Sequence, residues 1–294
     1  MTAVGVIGAG TMGVGIAYVF AAADCEVFVV EPDPGRARGC VETVRAQSRQ
    51  GLARGRLTAE QAAAIPGRVT AVDRVRDLPR ALDLVVESVP ERLELKHEVL
   101  AAAAERGPAV LASNTSSLSI DALAARLPDP ATFLGMHFFN PVWSLRMVEI
   151  VRGSRTSEDT LRHAGTLVTR LGKQAIVVRD VPGFATSRLD LVASLEAMRM
   201  LEDGVASAAD IDTAMVVAYR HPMGPLRLSD VVGLDVRLDI ARQLCSVYGE
   251  RFAPPAVLVE KVAAGKLGRK SGEGFYRWPD EPAAGDTRSI LVAG

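Results

Sequence analysis

Short runs of apolar, mostly β-branched residues recur through the first half of the chain, each bounded by Gly, Pro, Asp or Asn. Val4–Ile7, Glu26–Val30, Arg68–Val72, Leu82–Glu87 and Ala109–Ala112 show this pattern and read as strands. Ala- and Arg-rich stretches lie between them, at Met12–Ala23, Gly35–Gln50 and Glu91–Arg106, and read as helices. Alternation of this kind implies βαβ units around a buried parallel sheet. Two further runs, Met147–Val151 and Gln174–Val178, flank the helical stretch Glu158–Leu171.

After Asp180-Val181-Pro182-Gly183 the texture changes. From Phe184 the pattern is helical, over Ala185–Leu201, Ala208–Val217 and Leu226–Tyr248, with breaks at Gly204 and Pro222–Pro225. No strand signal returns. The shift predicts a boundary near residue 180, between an α/β domain (1–180) and an all-helical domain (181–294). The tail after Trp278, rich in Pro, Ala and Gly, reads as a loose end. No internal repeat or low-complexity tract is found.

Composition narrows the function classes. Hydrophobic residues make up 48% of the 294 and charged residues 23%, which excludes disorder and allows a sizeable core. Thirty-four Lys plus Arg against thirty-five Asp plus Glu leave a net charge of -1. No global basic field exists for nucleic acid, so an anionic ligand must be met by a local site. Cys25, Cys40 and Cys245 form no CxxC pair and read as thiols in a reducing compartment. No apolar run approaches the ~18 residues that span a bilayer, and Val4–Ile7 is too short for a signal-peptide core. The chain reads as soluble and cytoplasmic.

Gly8-Ala9-Gly10-Thr11-Met12-Gly13 directly follows the first strand and opens a helix, the context that a dinucleotide-binding glycine loop requires. Gly8 allows the turn, Gly10 lets a pyrophosphate approach the backbone, and Gly13 permits close helix–strand packing. The helix N-terminus, at Thr11 and Met12, supplies amide donors and a favourable dipole. Glu31, at the end of the second strand, is placed to accept hydrogen bonds from the adenosine ribose hydroxyls and to repel a 2′-phosphate. NAD is therefore expected over NADP. Arg36 and Arg38 lie nearby, either as holders of the extra phosphate or as a solvated helix face.

Further motifs carry a resemblance. Glu87-Ser88-Val89-Pro90-Glu91 through Lys96, Ser113-Asn114-Thr115-Ser116-Ser117-Leu118, and Gly135-Met136-His137-Phe138-Phe139-Asn140-Pro141 with Glu149 resemble the L-3-hydroxyacyl-CoA dehydrogenase family, short-chain 3-hydroxybutyryl-CoA dehydrogenases included. The second half adds Pro182-Gly183-Phe184, Asp210-Ile211-Asp212, Pro222-Met223-Gly224-Pro225 and Gly268 through Tyr276. Together these cover roughly residues 3–278. The resemblance implies a Rossmann-type, mostly parallel sheet domain, a helical C-terminal domain that serves substrate binding and dimerisation, and NAD as cofactor. It also implies hydride transfer between nicotinamide C4 and C3 of a 3-hydroxyacyl thioester, most simply a short-chain acyl-CoA.

Expelling hydride from a neutral alcohol is unfavourable, so the chemistry asks for a base near the C3 hydroxyl. His137 suits that role, because imidazole ordinarily titrates near physiological pH. By resemblance, Glu149 is its carboxylate partner and Ser116 donates to the substrate oxygen. Asn140 positions the nicotinamide or the reacting group, and Glu91 and Lys96 contact NAD. Glu91 also reads simply as an acidic residue at a helix N-terminus. His97, His163 and His221 lack such context and read as structural; no pair of histidines has ligand spacing, so no metal is expected.

Arg54-Gly55-Arg56 sits where the family places Lys-rich segments near the CoA phosphates, and equally reads as a solvated basic turn. Ser187 stands where the family carries a substrate-contacting Asn. That departure leaves two readings open, a weakened site or one reshaped for another acyl group. Rival functions are the same chemistry on an acyl-carrier-protein thioester in a specialised biosynthetic pathway, action on a free hydroxy acid, and a non-catalytic dinucleotide-binding protein on this fold.

Overall fold

The computed structural model of the chain describes residues 1–278. They form two compact units, Met1–Val181 and a second from Pro182 onward. The predicted loose tail after Trp278 lies outside the described residues.

The first unit runs β1 (Ala3–Ile7), α1 (Thr11–Ala22), β2 (Glu26–Val30), α2 (Pro34–Ala53), α3 (Ala59–Ala64), β3 (Val69–Val72), β4 (Leu84–Glu87), α4 (Leu93–Ala104), β5 (Leu111–Ser113), α5 (Ile120–Ala124), β6 (Phe133–Phe138), β7 (Met147–Arg152), α6 (Glu158–Arg170) and β8 (Gln174–Arg179). Its eight strands lie in the order β3-β2-β1-β4-β5-β6-β7-β8. All neighbours pair in parallel except β6 and β7, which are antiparallel. The short link 139–146 explains the exception, since a parallel neighbour requires a crossover of a dozen or more residues.

β6 is a strand that the apolar pattern did not announce. Its sequence, FLGMHF, is buried at all six positions, yet it has no β-branched residue and includes Gly135 and His137. Helix α1 has the converse character. It is apolar almost all round and buries nine of its twelve residues against the sheet, with Ile16 and Phe20 fully enclosed. That close seat depends on Gly13, where a Cβ would stand 1.9 Å from the Gly8 carbonyl oxygen.

The second unit contains α7 (Thr186–Glu202), α8 (Ala208–Thr213), α9 (Pro225–Val232), α10 (Leu234–Tyr248) and α11 (Ala256–Ala263) around Leu191, Leu195, Met198, Leu226, Leu238 and Leu258. The stretch Leu226–Tyr248, expected as one helix, is two. Gly233 adopts φ +106° between α9 and α10 and breaks the helix there. Ala208–Val217 likewise keeps α geometry only to Thr213 and continues as a wider turn over Ala214–Ala218.

Two buried carboxylates explain the motifs of this half. Asp230 accepts hydrogen bonds from the amides of Phe275 (2.8 Å) and Tyr276 (2.9 Å) and from the Trp278 indole (2.9 Å). Asp212 accepts from the amides of Leu226 and Arg227, and from the Tyr276 hydroxyl at 2.7 Å. The Gly268–Tyr276 segment is thus a clasp for the helices. Asp230→Ala strands three half-buried donors and is expected to cost about 1–3 kcal/mol, since an unsatisfied group costs ~1 kcal/mol or more only where water cannot replace its partner. Urea unfolding monitored by circular dichroism checks it.

Candidate active site

A cleft of about 940 Å³ opens beyond the carboxyl ends of β1, β2, β4 and β5, large enough for a cofactor-sized ligand. Gly8, Gly10, Thr11 and Met12 line its floor. Gly10 starts α1 without any side-chain cap, so the first amides of the helix have no internal acceptor from that residue. A Cβ built on Gly10 would meet no protein atom within 4 Å. The fold itself therefore leaves the space above Gly10 open, and this is the approach a pyrophosphate requires. Gly13 is held by packing instead. The residues present fit a dinucleotide.

Glu31 follows β2 directly and lines one end of the cleft. Its Oε2 accepts from the Ala9 amide (3.2 Å), and its Oε1 accepts from the Asp33 amide (3.1 Å). Arg36, in the first turn of α2, places Nε at 3.1 Å and Nη2 at 2.8 Å from the same Oε1. The carboxylate thus joins the glycine loop to the helix that follows β2.

The opposite end holds His137 and Glu149, which face each other in the antiparallel register of β6 and β7. His137 Nδ1 lies 2.9 Å from Glu149 Oε2, and the carboxylate is fully buried. The Phe139 ring packs on the imidazole at 4.3 Å between centroids. Asn140 and Ser116 are exposed in the wall of the same cleft. Asn114 connects the two sides: its Oδ1 accepts the Phe138 amide at 3.0 Å, which ties the loop carrying Ser116 to the strand carrying His137.

Beneath the cleft lies a hub that sequence reasoning passed over. Lys96 and Glu87 are both fully buried, with Nζ 2.8 and 3.0 Å from the two carboxylate oxygens. Glu87 also accepts from the Val89 amide (2.6 Å) and from the Ser113 hydroxyl (2.6 Å). Lys96 reaches Glu91 Oε2 at 3.3 Å, and Glu91 accepts from the hydroxyls of Thr115 and Ser117. Burial raises the Glu91 pKa, but the hydrogen bond from Thr115, the charge of Lys96 and the bond from Ser117 outweigh it and hold the carboxyl below its usual range. The stability Glu91 contributes is therefore present above its unfolded value and lost as pH falls through the lowered folded one.

Lys96, expected to contact the cofactor, is placed by the structure beneath the cleft. The ammonium is enclosed among Glu87, Glu91 and the Asn114 carbonyl and lies outside the cleft wall, whereas Glu91 does line it. The signal for the hub was available in the sequence, as an acid at the end of β4 nine residues before a lysine on α4.

The remaining candidates lie elsewhere. Arg54 and Arg56 line a second cavity of the first unit, about 380 Å³, together with Tyr18, Trp143, Arg170 and Lys173. Lys173 Nζ donates to the Val142 carbonyl at 2.6 Å, and burial lowers its pKa. Ser187 is half-buried in the first turn of α7, in the second unit. His97 places Nε2 2.9 Å from the Ala122 carbonyl oxygen, as a structural histidine does. Among the described residues, no cluster of three or more His, Cys, Asp or Glu could hold a metal ion.

A family model described as 3-hydroxyacyl-CoA dehydrogenase, NAD binding domain, matches residues 3–181, and one for the C-terminal domain of that family matches residues 183–278. A 3-hydroxybutyryl-CoA dehydrogenase of Mycobacterium tuberculosis is 40% identical over 280 residues, 94% of this chain and 98% of the relative. A 3-hydroxyadipyl-CoA dehydrogenase of Escherichia coli is 38% identical over 288 residues, 96% of this chain and 60% of the longer relative. The crystal structure of an (S)-3-hydroxybutyryl-CoA dehydrogenase from Ralstonia eutropha superposes with a TM-score of 0.90 at 36% identity, covering 95% of this chain and 100% of that one.

Removing the ammonium alone leaves Glu87 charged, buried and unpaired. Lys96→Met is expected to destabilise the protein by roughly 3–5 kcal/mol. Lys96→Met combined with Glu87→Gln should recover most of that loss, because no lone charge remains. Denaturant unfolding of the two single variants and the double variant completes the cycle.

Proposed function

The chain belongs to the 3-hydroxyacyl-CoA dehydrogenase family, and from that premise we propose that it interconverts a short-chain 3-hydroxyacyl-CoA and its 3-keto form, with His137 as acid/base. The observation that carries this reading is the buried His137–Glu149 pair at 2.9 Å, set in the wall of a cleft whose floor is a dinucleotide-binding glycine loop.

The glycine loop and Glu31 would hold NAD, which would supply the hydride acceptor for C3. The chain supplies the rest. His137 Nε2 takes the C3 hydroxyl proton as the carbonyl forms and returns it in the reverse direction. Glu149 holds the Nδ1–H tautomer and offsets the charge of the imidazolium; its burial keeps that interaction unscreened by solvent. Ser116 donates to the substrate oxygen, where negative charge grows, and Asn140 orients the nicotinamide or the reacting group. Gly8, Gly10, Thr11 and Met12 seat the pyrophosphate, with Gly13 allowing the close helix seat beneath them, Glu31 faces the adenosine ribose, and Glu91 the cofactor side of the cleft. Residues 1–180 serve the cofactor, and residues 181–294 the substrate and a dimer.

CoA is the carrier favoured here. Arg54 and Arg56 share a cavity with Arg170 and Lys173, and no acidic residue among the described residues lines it, which suits the phosphates of CoA. A carrier-protein pantetheine lacks the 3′-phosphate that such a cavity would hold. A non-catalytic dinucleotide-binding protein would have no use for a buried His–Glu pair in its cleft. Homodimerisation is supported by apolar residues left exposed in the second unit, among them Leu189, Val217, Tyr219 and Val247. A reducing cytoplasm suits the three cysteines, which are all free thiols. No helix among the described residues is long and apolar enough to cross a membrane.

His137→Ala is expected to lower kcat for 3-hydroxybutyryl-CoA oxidation by roughly 10²–10⁴-fold with little change in NADH affinity. Glu149→Gln should also reduce kcat and move the pH profile, since the imidazolium loses its countercharge. Near-normal turnover of His137→Ala would remove the proposed base. Ser187 supports a site reshaped for a larger or more polar acyl group than butyryl, because the other chemistry-bearing positions are intact. Ser187→Asn should then leave 3-hydroxybutyryl-CoA poor and impair longer or carboxyl-bearing thioesters. A uniform gain of about tenfold, as from one restored hydrogen bond, would instead mark a weakened site. Comparison of kcat/KM across a thioester series separates the two.

A further inference from the structure

The loop that presents Asn140 to the cleft is held from behind by a lysine. Residues 139–146 join β6 to β7, and Asn140 stands exposed in the cleft wall. Val142, two residues on, is buried against α1. Its seat is Gly15, where a Cβ would stand 2.7 Å from Val142 Cγ2. The chain turns here: the amides of Ser144 and Leu145 both donate to the Pro141 carbonyl, at 3.0 and 3.1 Å. The carbonyls of Val142 and Leu145 are taken by another group, since both accept from Lys173 Nζ, the first at 2.6 Å.

Lys173 is itself firmly placed. It directly precedes β8, and its amide donates to the Val168 carbonyl of α6 at 3.3 Å. The next amide, of Gln174, donates to the Arg146 carbonyl at 2.7 Å, where β7 and β8 begin to pair. Burial lowers the Lys173 pKa, and its ammonium makes no ion pair among the described residues. An ammonium that loses solvation without gaining a countercharge must recover the loss in hydrogen bonds. Both of its bonds go to one turn.

We propose that Lys173 is a positioning residue for hydride transfer, which fixes the 141–145 turn and so sets Asn140 in the cleft, given the reading of Asn140 as the group that orients the nicotinamide or the reacting centre. Val142 on Gly15 fixes how deep the turn sits. A single apolar contact leaves the turn free to pivot, and one ammonium gripping two carbonyls three residues apart removes that freedom. Asn140 moves with the turn when the grip is lost.

Lys173→Met keeps the apolar stem and removes the donors. It is compared with the wild type, Asn140→Ala and the double variant on 3-hydroxybutyryl-CoA and on 3-hydroxybutyryl-pantetheine, which lacks the nucleotide phosphates. Lys173→Met is expected to lower kcat by roughly 10–100-fold on both thioesters and to change either KM by less than about threefold, as misplacement of an orienting group does. Added to Asn140→Ala, it should lower kcat by no more than about threefold further, because the two act as one unit. Trp143 lies on the same turn, edge-on to Tyr18 at 6.3 Å, and is the sole tryptophan once Trp278→Phe is introduced. In that background Lys173→Met should make acrylamide quenching of Trp143 steeper, as local release of the turn requires. A raised KM confined to the CoA thioester, with kcat intact, would make Lys173 a phosphate holder and overturn the proposal. Losses that multiply in the double variant overturn it too, as does unchanged quenching. Should Lys173→Met not fold, Lys173→Gln, which keeps one donor, carries the same measurements. If the wild type oxidised no 3-hydroxyacyl thioester, the functional reading would fall, and quenching alone would decide whether Lys173 holds the turn.

Discussion

A lysine ammonium enclosed in protein must be neutralised on the spot, and the way Lys96 is neutralised sets the geometry of the cleft. Its nearest partner, Glu87, ends β4; its second, Glu91, opens the turn into α4. Each carboxylate then uses its remaining capacity on the loop after β5, Glu87 through Ser113 and Glu91 through Thr115 and Ser117. Two carboxylates around one ammonium would repel each other without it, and a lone ammonium there would bear a desolvation cost of several kcal/mol. The cluster stands only when complete. Ser116, between the anchored Thr115 and Ser117, is thereby presented to the cleft on a fixed loop.

The same constraint reaches His137. Asn114 belongs to the anchored loop, and its side chain accepts the amide next to His137. The partner of His137 is then set by strand register. In an antiparallel pair, residues directly opposite share a face, and His137 stands opposite Glu149. A slip of one residue would carry the carboxylate to the other face of the sheet. Strands on either side, β5 and β8, pair in parallel with β6 and β7 and hold that register in place. The His137–Glu149 pair, twelve residues apart in sequence, thus depends on sheet topology, where a helix would have used a spacing of three or four.

Much of this was legible in the chain, and unevenly so. The β1–loop–α1 segment reads directly, because a tight turn, a phosphate approach and a close helix contact each demand glycine at a known spacing. Strand β6 does not. Its burial comes from neighbours on both edges and both faces, which no window of six residues contains. The split at Gly233 was missed for a related reason: an isolated glycine in an apolar helical pattern is tolerated, and only its backbone conformation turns it into a break. Motifs learned by resemblance identify positions that matter without saying how. Lys96 was matched to a cofactor contact, and the structure encloses it beneath the cleft. Asp212 and Asp230, in motifs that match equally well, serve to clasp helices.

The acids around the cleft share one feature. Glu31 is paired with Arg36, Glu87 with Lys96, and Glu149 with His137, and all three carboxylates are buried. Pairing cancels most of the field that isolated buried acids would exert on a dinucleotide, whose pyrophosphate already carries negative charge. The three cations differ in chemistry. Arg36 presents a planar fork to Glu31, Lys96 a point charge to Glu87, and His137 a ring nitrogen to Glu149. The three pairs therefore differ in geometry as well as in place: the fork ties the glycine loop to α2, the point charge gathers the loops after β4 and β5, and the ring is held by the register of β6 and β7.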